Sequence, residues 1–146
     1  MAASITTQIL INASPEMVWS VLTDFESYPT WNPFIQSIVG NVAVGNQITA
    51  RINPPESKGM TFKPVVLAFT PYKEFRWIGK LLFKGLFDGE HKFEIIDNQN
   101  ETSTFVHSEK FSGLLVGLFQ KQLEQNTKKG FELMNEQLKK RAEGQY

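Results

Sequence analysis

Three side chains that can exchange protons, His91, His107 and Glu109, lie in two neighbouring strand-like segments, EHKFEI and TFVHSEKF. Successive side chains of a strand point to opposite faces, so His91 faces the same way as Phe93. By the same alternation, His107 and Glu109 face the same way as Phe105. The pattern therefore predicts two imidazoles and one carboxylate within an apolar wall.

The turn DNQNE between these segments leaves the pairing of the two strands open. One register places His91 opposite Glu109 and Phe93 opposite His107, and a register shifted by two residues places His91 opposite His107 instead. An imidazole beside a carboxylate in an apolar wall is suited to general acid–base catalysis. The same pair is more often a structural hydrogen bond. No residue is therefore assigned as catalytic, although His91 and Glu109 are the pair that an enzyme would use.

Other kinds of catalytic site find no support in the sequence. The 146-residue chain has no cysteine, two histidines and no HExxH pattern, so neither thiol chemistry nor a metal site is predicted. A glycine-rich phosphate loop and a Gly-x-Ser-x-Gly turn are also missing. We therefore expect no metal and no cofactor.

Charge and hydropathy argue against two classes of partner. Lys and Arg number 15 and Asp and Glu number 15, so no net charge favours nucleic acid. The lysines of EFRWIGKLLF fall on the opposite strand face from its aromatic residues, which disfavours base stacking. The N-terminus lacks a signal-peptide pattern, and no apolar run approaches the roughly 18 residues of a membrane helix. We expect a cytoplasmic domain without a stable membrane anchor.

The elements that position these residues follow from the spacing of apolar side chains. ITTQILI (5–11) has the composition of a strand. Ser-Pro-Glu at 14–16 is typical of a helix N-terminus, and an apolar stripe follows at helical spacing. Pro29 and Pro33, within FESYPTWNPF, end that helix and leave one short helical turn. Six strand-like segments separated by turn sequences then fill residues 35–112, which predicts an antiparallel meander.

The last segment has a helical period. Apolar residues recur every three or four positions from Val116 to Leu138, with charged residues on the opposite face, which predicts one long amphipathic helix. Gly130 on the buried stripe indicates either close approach of the sheet or room for a ligand. The whole chain, 1–146, is therefore predicted to be one α+β domain. Its seven-stranded antiparallel curved sheet wraps around the C-terminal helix, with two short helices after the first strand.

This order of elements resembles the helix-grip fold of the START-related (SRPBCC) superfamily, which includes Bet v 1-like proteins. The strings INASPEMVWSVLTDFESYPTWNPF, FKPVVLAFTPYKEFRWIG, GLFDGEHKFEI and HSEKFSGLL resemble its polyketide cyclase/dehydrase and lipid-transport branch. The resemblance spans about residues 4–140. It implies a deep cavity between the sheet and the long helix that binds an apolar small molecule.

Three functions follow as hypotheses. The first is binding or transport of a hydrophobic, lipid- or polyketide-like molecule, by a monomer or a homodimer. The second is a polyketide cyclase/dehydratase-type enzyme that uses His91 and Glu109. The third is an Hsp90-activator-like interaction module, which needs an exposed apolar patch outside the cavity.

Trp31 is predicted to be either a wall of the cavity or a seal of the core, with Tyr28 supplying a polar group beside it. The residues predicted to bind a ligand are those expected to face the space between sheet and helix: Trp31, Phe62, Trp77, Leu81, His91, Phe93, Phe105, His107, Glu109, Phe119, Leu123 and Thr127.

Overall fold

The computed structural model describes residues 2–56, 58–80 and 85–144 of the chain. Eight strands and four α-helices succeed one another in the described ranges, with a 3₁₀ turn after the first helix and a π-helical turn inside the C-terminal helix. Their bounds are β1 (Ala2–Ile11), α1 (Pro15–Leu22), the 3₁₀ turn (Phe25–Ser27), α2 (Tyr28–Trp31), β2 (Ile35–Val39), β3 (Thr49–Ile52), β4 (Met60–Phe62), β5 (Val65–Thr70), β6 (Glu74–Lys80), β7 (Asp88–Asp97), β8 (Ser103–Ser112), α3 (Val116–Gln122), the π turn (Leu123–Thr127) and α4 (Lys128–Ala142).

The strands form two antiparallel sheets. Five strands pair in the order β1-β8-β7-β6-β5, and three pair in the order β2-β3-β4. The C-terminal helix packs on β1, β8 and α1. The α+β helix-grip architecture is therefore confirmed, including the two short helices after the first strand.

The prediction of seven strands in one sheet was wrong in its count and continuity. The segment MTFKPVVLAF, expected to be one strand, is divided at Lys63 and Pro64 into β4 and β5. Pro64 has no N–H to donate to a neighbouring strand, so the ladder is interrupted there. The two sheets remain in contact because Gln47 forms an isolated bridge with Val65, and Ile48 N donates to the Pro64 carbonyl at 2.9 Å.

The helix α1 begins where its N-cap sequence predicts. Ser14 Oγ accepts a hydrogen bond from Met17 N at 3.2 Å, and Pro15 occupies the first helical position. Val18 and Leu22 are fully buried, so the predicted stripe faces the core. At the other end, the Tyr28 hydroxyl donates to the Leu22 carbonyl, which satisfies a helix-terminal acceptor.

The C-terminal helix runs from α3 through the π turn into α4 without a break. Met134 and Leu138 are fully buried on its inner face. Its end is tied to the end of β1, because Lys139 Nζ donates to the Leu10 carbonyl at 3.0 Å and Glu143 Oε2 accepts from Asn12 N at 2.7 Å. The amphipathic prediction is confirmed, and the π turn is a feature that the period did not show.

Candidate functional site

A cavity of about 230 Å³ lies between the inner face of the five-stranded sheet, the strands β3 and β4, and the first part of the C-terminal helix. Its walls are mainly aromatic and aliphatic. The polar side chains in its wall come from β6, β8 and the helix: Lys80, Glu109, Gln122 and Thr127. A mostly apolar pocket with a few polar groups is typical of a small-molecule site.

Two glycines create the space on the sheet side. Gly79 of β6 pairs directly with Gly89 of β7, and both line the cavity. A Cβ atom on Gly79 would meet only Pro64, at 3.8 Å, whereas a Cβ atom on Gly89 would lie 2.4 Å from Glu109 Oε2. The missing side chain at Gly79 therefore leaves open volume, and the missing side chain at Gly89 makes room for the carboxylate of Glu109.

The π turn of the helix supplies the facing wall. Leu123 and Thr127, its first and last residues, line the cavity together with Gln122 just before it. Further along, Gly130 allows a third element to approach, because a Cβ atom there would lie 2.4 Å from Phe34 Cδ1. Of the two interpretations of Gly130, the structure supports close approach, but the partner is the Phe34 ring rather than the sheet.

Glu109 connects the cavity to a hydrogen-bond chain in the core. Glu109 Oε1 lies 3.1 Å from His91 Nδ1, and His91 Nε2 lies 2.7 Å from His107 Nε2. Beyond them, His107 Nδ1 lies 3.0 Å from Asn135 Oδ1, and Asn135 Nδ2 donates to Thr7 Oγ1 at 2.8 Å. We call this set of five side chains the Thr7–Glu109 chain. The β7–β8 register has His91 opposite Glu109 and Phe93 opposite His107, the first of the two predicted pairings.

Burial along the Thr7–Glu109 chain is most complete at its middle, the two histidines. The Glu109 side chain is 14% exposed, whereas those of His91 and His107 are 1% and 0% exposed. Burial lowers the pKa of His107 well below its usual value, and the neighbouring His91 acts in the same direction, whereas the hydrogen bond that His107 donates to Asn135 acts in the opposite one. His107 is therefore neutral at ordinary pH.

The predicted site residues divide into four groups. His91, Phe93, Phe105 and His107 are buried behind the cavity wall, Trp31 lies elsewhere, and Leu81 falls outside the described residues. Whether any of them contacts a ligand stays a prediction. The predicted residues that line the cavity are Phe62, Trp77, Glu109, Phe119, Leu123 and Thr127.

Trp31 and Tyr28 pack against each other rather than against the cavity. Their ring centroids are 5.3 Å apart, and Trp31 is not among the residues of the cavity wall. Tyr28 is fully buried, and burial, with a contribution from the charge of Asp24, raises the pKa of its hydroxyl. Trp31 is partly buried against the core, and whether it also contacts a ligand stays a prediction. Tyr28 directs its hydroxyl to the end of α1.

Sequence reasoning missed several residues of the site. Phe34 lines the cavity from the segment between α2 and β2, and Asn135 and Thr7 complete the Thr7–Glu109 chain. The polar side chain of Asn135 predicts the solvent-exposed face of the helix, and that prediction is wrong, because Asn135 is buried. Its helical spacing from Phe131 and Leu138 was the signal that could have found it. The glycines at 79 and 89, each inside a strand, were a similar signal for open space.

Two further observations bear on the other hypotheses. The most exposed large apolar side chains of the described residues are Leu114, just before α3, and Leu118, within α3, which are 80% and 76% exposed. An interaction module stays a prediction. Among the described residues, no cluster of three or more His, Cys, Asp or Glu side chains could hold a metal ion, and no helix is long and apolar enough to cross a membrane.

Comparison with known proteins places this geometry in context. Residues 2–143 match the model of the family described as polyketide cyclase/dehydrase and lipid transport. A search of curated proteins finds no match.

Solved structures show the same fold at low sequence identity. The Zhui aromatase/cyclase from a Streptomyces species is 14% identical, with a TM-score of 0.78 over 98% of this chain and 94% of that one. A START superfamily protein from Mycobacterium smegmatis is 20% identical, with a TM-score of 0.73 over 98% and 99% of the two chains. A norcoclaurine synthase mutant from Thalictrum flavum, in complex with a transition-state analogue, is 12% identical, with a TM-score of 0.74 over 97% and 94%.

Proposed function

The chain belongs to the polyketide cyclase/dehydrase and lipid-transport family, and from that membership we propose that it binds an apolar molecule of one or two rings in the cavity between sheet and helix. The observation that carries the proposal is the cavity itself, whose wall is built from Trp77, Phe87, Phe111 and Phe119. Flat aromatic walls of this kind favour a flat, ring-containing ligand.

The volume of the cavity limits the ligand. An engineered apolar cavity of about 150 Å³ holds benzene, and pockets for drug-sized ligands begin at roughly 300 Å³. The present cavity of about 230 Å³ lies between these two sizes. A single-ring or fused two-ring molecule fits that volume, whereas a four-ring polyketide or a long-chain lipid exceeds it.

A series of ligands graded by size tests this proposal. We expect toluene and naphthalene to raise the melting temperature of the protein, and we expect anthracene and palmitate at equal free concentration to leave it unchanged. Binding of a ligand to the folded state alone stabilises that state, which is the physical basis of the measurement. Stabilisation by palmitate without stabilisation by naphthalene would contradict the proposal and favour a lipid carrier.

A second function is favoured by the position of Glu109. Its carboxyl group lies in the cavity wall and is hydrogen-bonded to a buried imidazole, as a general acid–base group requires. We propose as the alternative a cyclase- or dehydratase-type enzyme. In this enzyme the Glu109 carboxylate removes a proton from the carbon beside a ketone, and His91 positions that carboxylate.

Deuterium exchange tests the enzymatic alternative without knowledge of the natural substrate. In D₂O, 2-tetralone, a two-ring ketone, exchanges the hydrogens beside its carbonyl, and NMR follows the rate. We expect the protein to accelerate this exchange and Glu109→Gln to lower the acceleration about 10²–10⁴-fold while 2-tetralone still binds. Equal exchange rates with the wild-type protein and with Glu109→Gln would contradict the enzymatic alternative, and binding would remain as the proposed function.

A further inference from the structure

The Thr7–Glu109 chain joins three elements, β1, α4 and the β7–β8 pair, to one wall of the cavity. We propose that Thr7 and Asn135 are positioning residues that fix the tautomers of both histidines, so that a single proton is shared between His91 and Glu109 at the cavity. The proton distribution follows from the contacts one link at a time, beginning at the end farthest from the cavity.

The first link is a backbone carbonyl, which can only accept. Thr7 Oγ1 lies 3.0 Å from the His107 carbonyl oxygen, so the Thr7 hydroxyl donates to it. The same hydroxyl oxygen must then accept from Asn135, 2.8 Å away, and this orients the Asn135 amide nitrogen towards Thr7. The amide oxygen of Asn135 consequently faces His107 Nδ1 at 3.0 Å.

The second link is the pair of imidazoles. Because Asn135 Oδ1 accepts, His107 carries its hydrogen on Nδ1, and because His107 is fully buried and neutral, its Nε2 has a free lone pair. His91 Nε2 lies 2.7 Å from that lone pair and must therefore carry a hydrogen. Both nitrogens that face each other are thus assigned, one as donor and one as acceptor.

The third link reaches the cavity. With Nε2–H fixed, His91 has one remaining site, Nδ1, which lies 3.1 Å from Glu109 Oε1. One proton occupies this contact. It resides either on His91 Nδ1, giving an imidazolium and a carboxylate, or on Glu109, giving a neutral imidazole and a carboxylic acid. The proton moves between two atoms, and the net charge of the pair is the same in both states.

The surroundings isolate this pair. Around the His91 ring stand the aromatic rings of Trp77, Phe34, Phe93 and Phe131 together with His107, and the titratable groups that contact it are His107 and Glu109, both from β8. Lys80 of β6 lines the same cavity as Glu109. The second oxygen of Glu109, Oε2, lies over Gly89 at the cavity wall, where it is available to a ligand.

The hydrogen bonds of the Thr7–Glu109 chain form without a ligand, but the role of the shared proton depends on ligand binding. If the proposed binding function holds, the pair offers Glu109 as a hydrogen-bond acceptor or donor to one oxygen of the bound molecule. The preferred ligand is then a ring compound with a hydroxyl or carbonyl group directed at the sheet. We expect the protein to bind such a compound more tightly than the hydrocarbon that lacks the oxygen. This difference in affinity depends on where the hydrogens lie in the Thr7–Glu109 chain.

The protein has two histidines, His91 and His107, and both belong to the Thr7–Glu109 chain. Long-range ¹H–¹⁵N NMR of the ligand-free protein reports which ring nitrogens carry hydrogen, and two ring systems are expected in the spectrum. We expect His107 as the Nδ1–H form and His91 with hydrogen on Nε2. In Thr7→Val, which retains the shape but not the hydroxyl, we expect His107 to become a mixture of tautomers, whereas Thr7→Ser retains the wild-type spectrum.

Three results would count against the proposal. Hydrogen on His107 Nε2 in the wild-type protein would overturn the derived chain, and an unchanged spectrum in Thr7→Val would overturn the positioning role of Thr7. If Thr7→Val does not fold, Asn135→Leu supplies the same comparison, because it removes the acceptor of His107 Nδ1. Failure of both variants to alter the His107 tautomer would overturn the proposal.

A ligand measurement separates this inference from the binding function on which its use rests. We expect the wild-type protein and Thr7→Ser to prefer 2-naphthol over naphthalene, and Thr7→Val to lose about fivefold of that preference, the equivalent of one hydrogen bond. If neither 2-naphthol nor naphthalene binds, the proposed function is contradicted, whereas the tautomer assignment still holds. An equal preference in all three proteins would overturn the coupling to the ligand.

Discussion

The inner face of the five-stranded sheet has two ends that use the same type of side chain with opposite results. At the end we call the filled end, Phe75, Phe93 and Phe105 are fully buried and contact one another in sequence, with ring centroids 5.6 and 6.2 Å apart. At the end we call the open end, Phe87 and Phe111 line the cavity around Gly79 and Gly89.

The difference lies in what each residue has opposite it on the next strand. Phe75 pairs with Phe93, and rings on adjacent strands fill the space above the sheet. Two strand positions away from Trp77, the Gly79–Gly89 pair has no side chain to contribute. The number of aromatic residues therefore does not determine whether this fold is solid or hollow, and their cross-strand partners do.

The largest effect is expected from a cavity introduced at the filled end. Phe93→Ala removes a fully buried ring with aromatic neighbours on both sides, so we expect the free energy of unfolding to fall by about 3–5 kcal/mol. Urea denaturation measures this loss. Naphthalene affinity of the folded variant should change little, and a loss of stability below about 1 kcal/mol would remove the distinction between the two ends.

Trp31 tests whether the segment before β2 belongs to the core alone. Because Trp31 is half-buried and packs on Tyr28 away from the cavity, Trp31→Ala should reduce the free energy of unfolding by about 2 kcal/mol. Calorimetric titration with naphthalene should give the wild-type affinity. A clear loss of affinity in a stable Trp31→Ala protein would assign this side chain to the ligand site instead.

At the open end the opposite outcome is expected. Gly79→Val adds a side chain into open cavity space in a strand, where valine is favoured over glycine. We expect naphthalene affinity to fall at least about tenfold, or roughly 1.4 kcal/mol, with stability unchanged or slightly raised. Ile78→Val, one residue away on the outer face, is the control and should alter neither quantity.

The smallest effect is expected at the border between the ends, from pH. The pKa of His107 in the folded protein lies well below its usual value of 6.5. Just below pH 6.5, His107 is therefore protonated in the unfolded chain but neutral in the folded protein. The contribution of His107 to stability is therefore complete above about pH 6.5 and is lost as the pH falls, by about 1 kcal/mol over the first pH unit below it.

Urea denaturation at several pH values measures this slope. The carboxylates titrate in every variant, so the informative quantity is the difference between the wild-type slope and that of His107→Gln. If the free energy of unfolding of the wild-type protein depends on pH no more steeply than that of His107→Gln, the pKa of His107 is not lowered in the folded state.

Much of this organisation could be predicted from local sequence. Strand alternation placed His91, His107 and Glu109 on one inner face before any register was known, because both registers preserve that face. The Ser-Pro-Glu cap of α1 and the amphipathic C-terminal helix are local patterns of the same kind. The division of the sheet was also signalled locally, since Pro64 interrupts a segment that otherwise has the composition of one strand.

The parts that could not be predicted depend on distant pairs. The cavity exists because Gly79 meets Gly89, and that meeting is set by the β6–β7 register rather than by either strand alone. The bond from Asn135 to Thr7 joins residues at opposite ends of the chain. Trp31 has the composition of a cavity wall and the packing of a core, and only its position relative to Tyr28 distinguishes the two.

The π turn at Leu123–Thr127 has a consequence for how the family can vary. A π turn accommodates one residue more than an α-helical turn as a local bulge, so deleting one residue there would restore a regular helix with α3 and α4 in nearly their present orientation. Phe119 before the turn would keep its place in the cavity wall, and Asn135 beyond it would keep its place beside His107. A single deletion at the turn can thus change the helix wall of the cavity between Leu123 and Thr127 alone, and spare the residues that set the proton of His91.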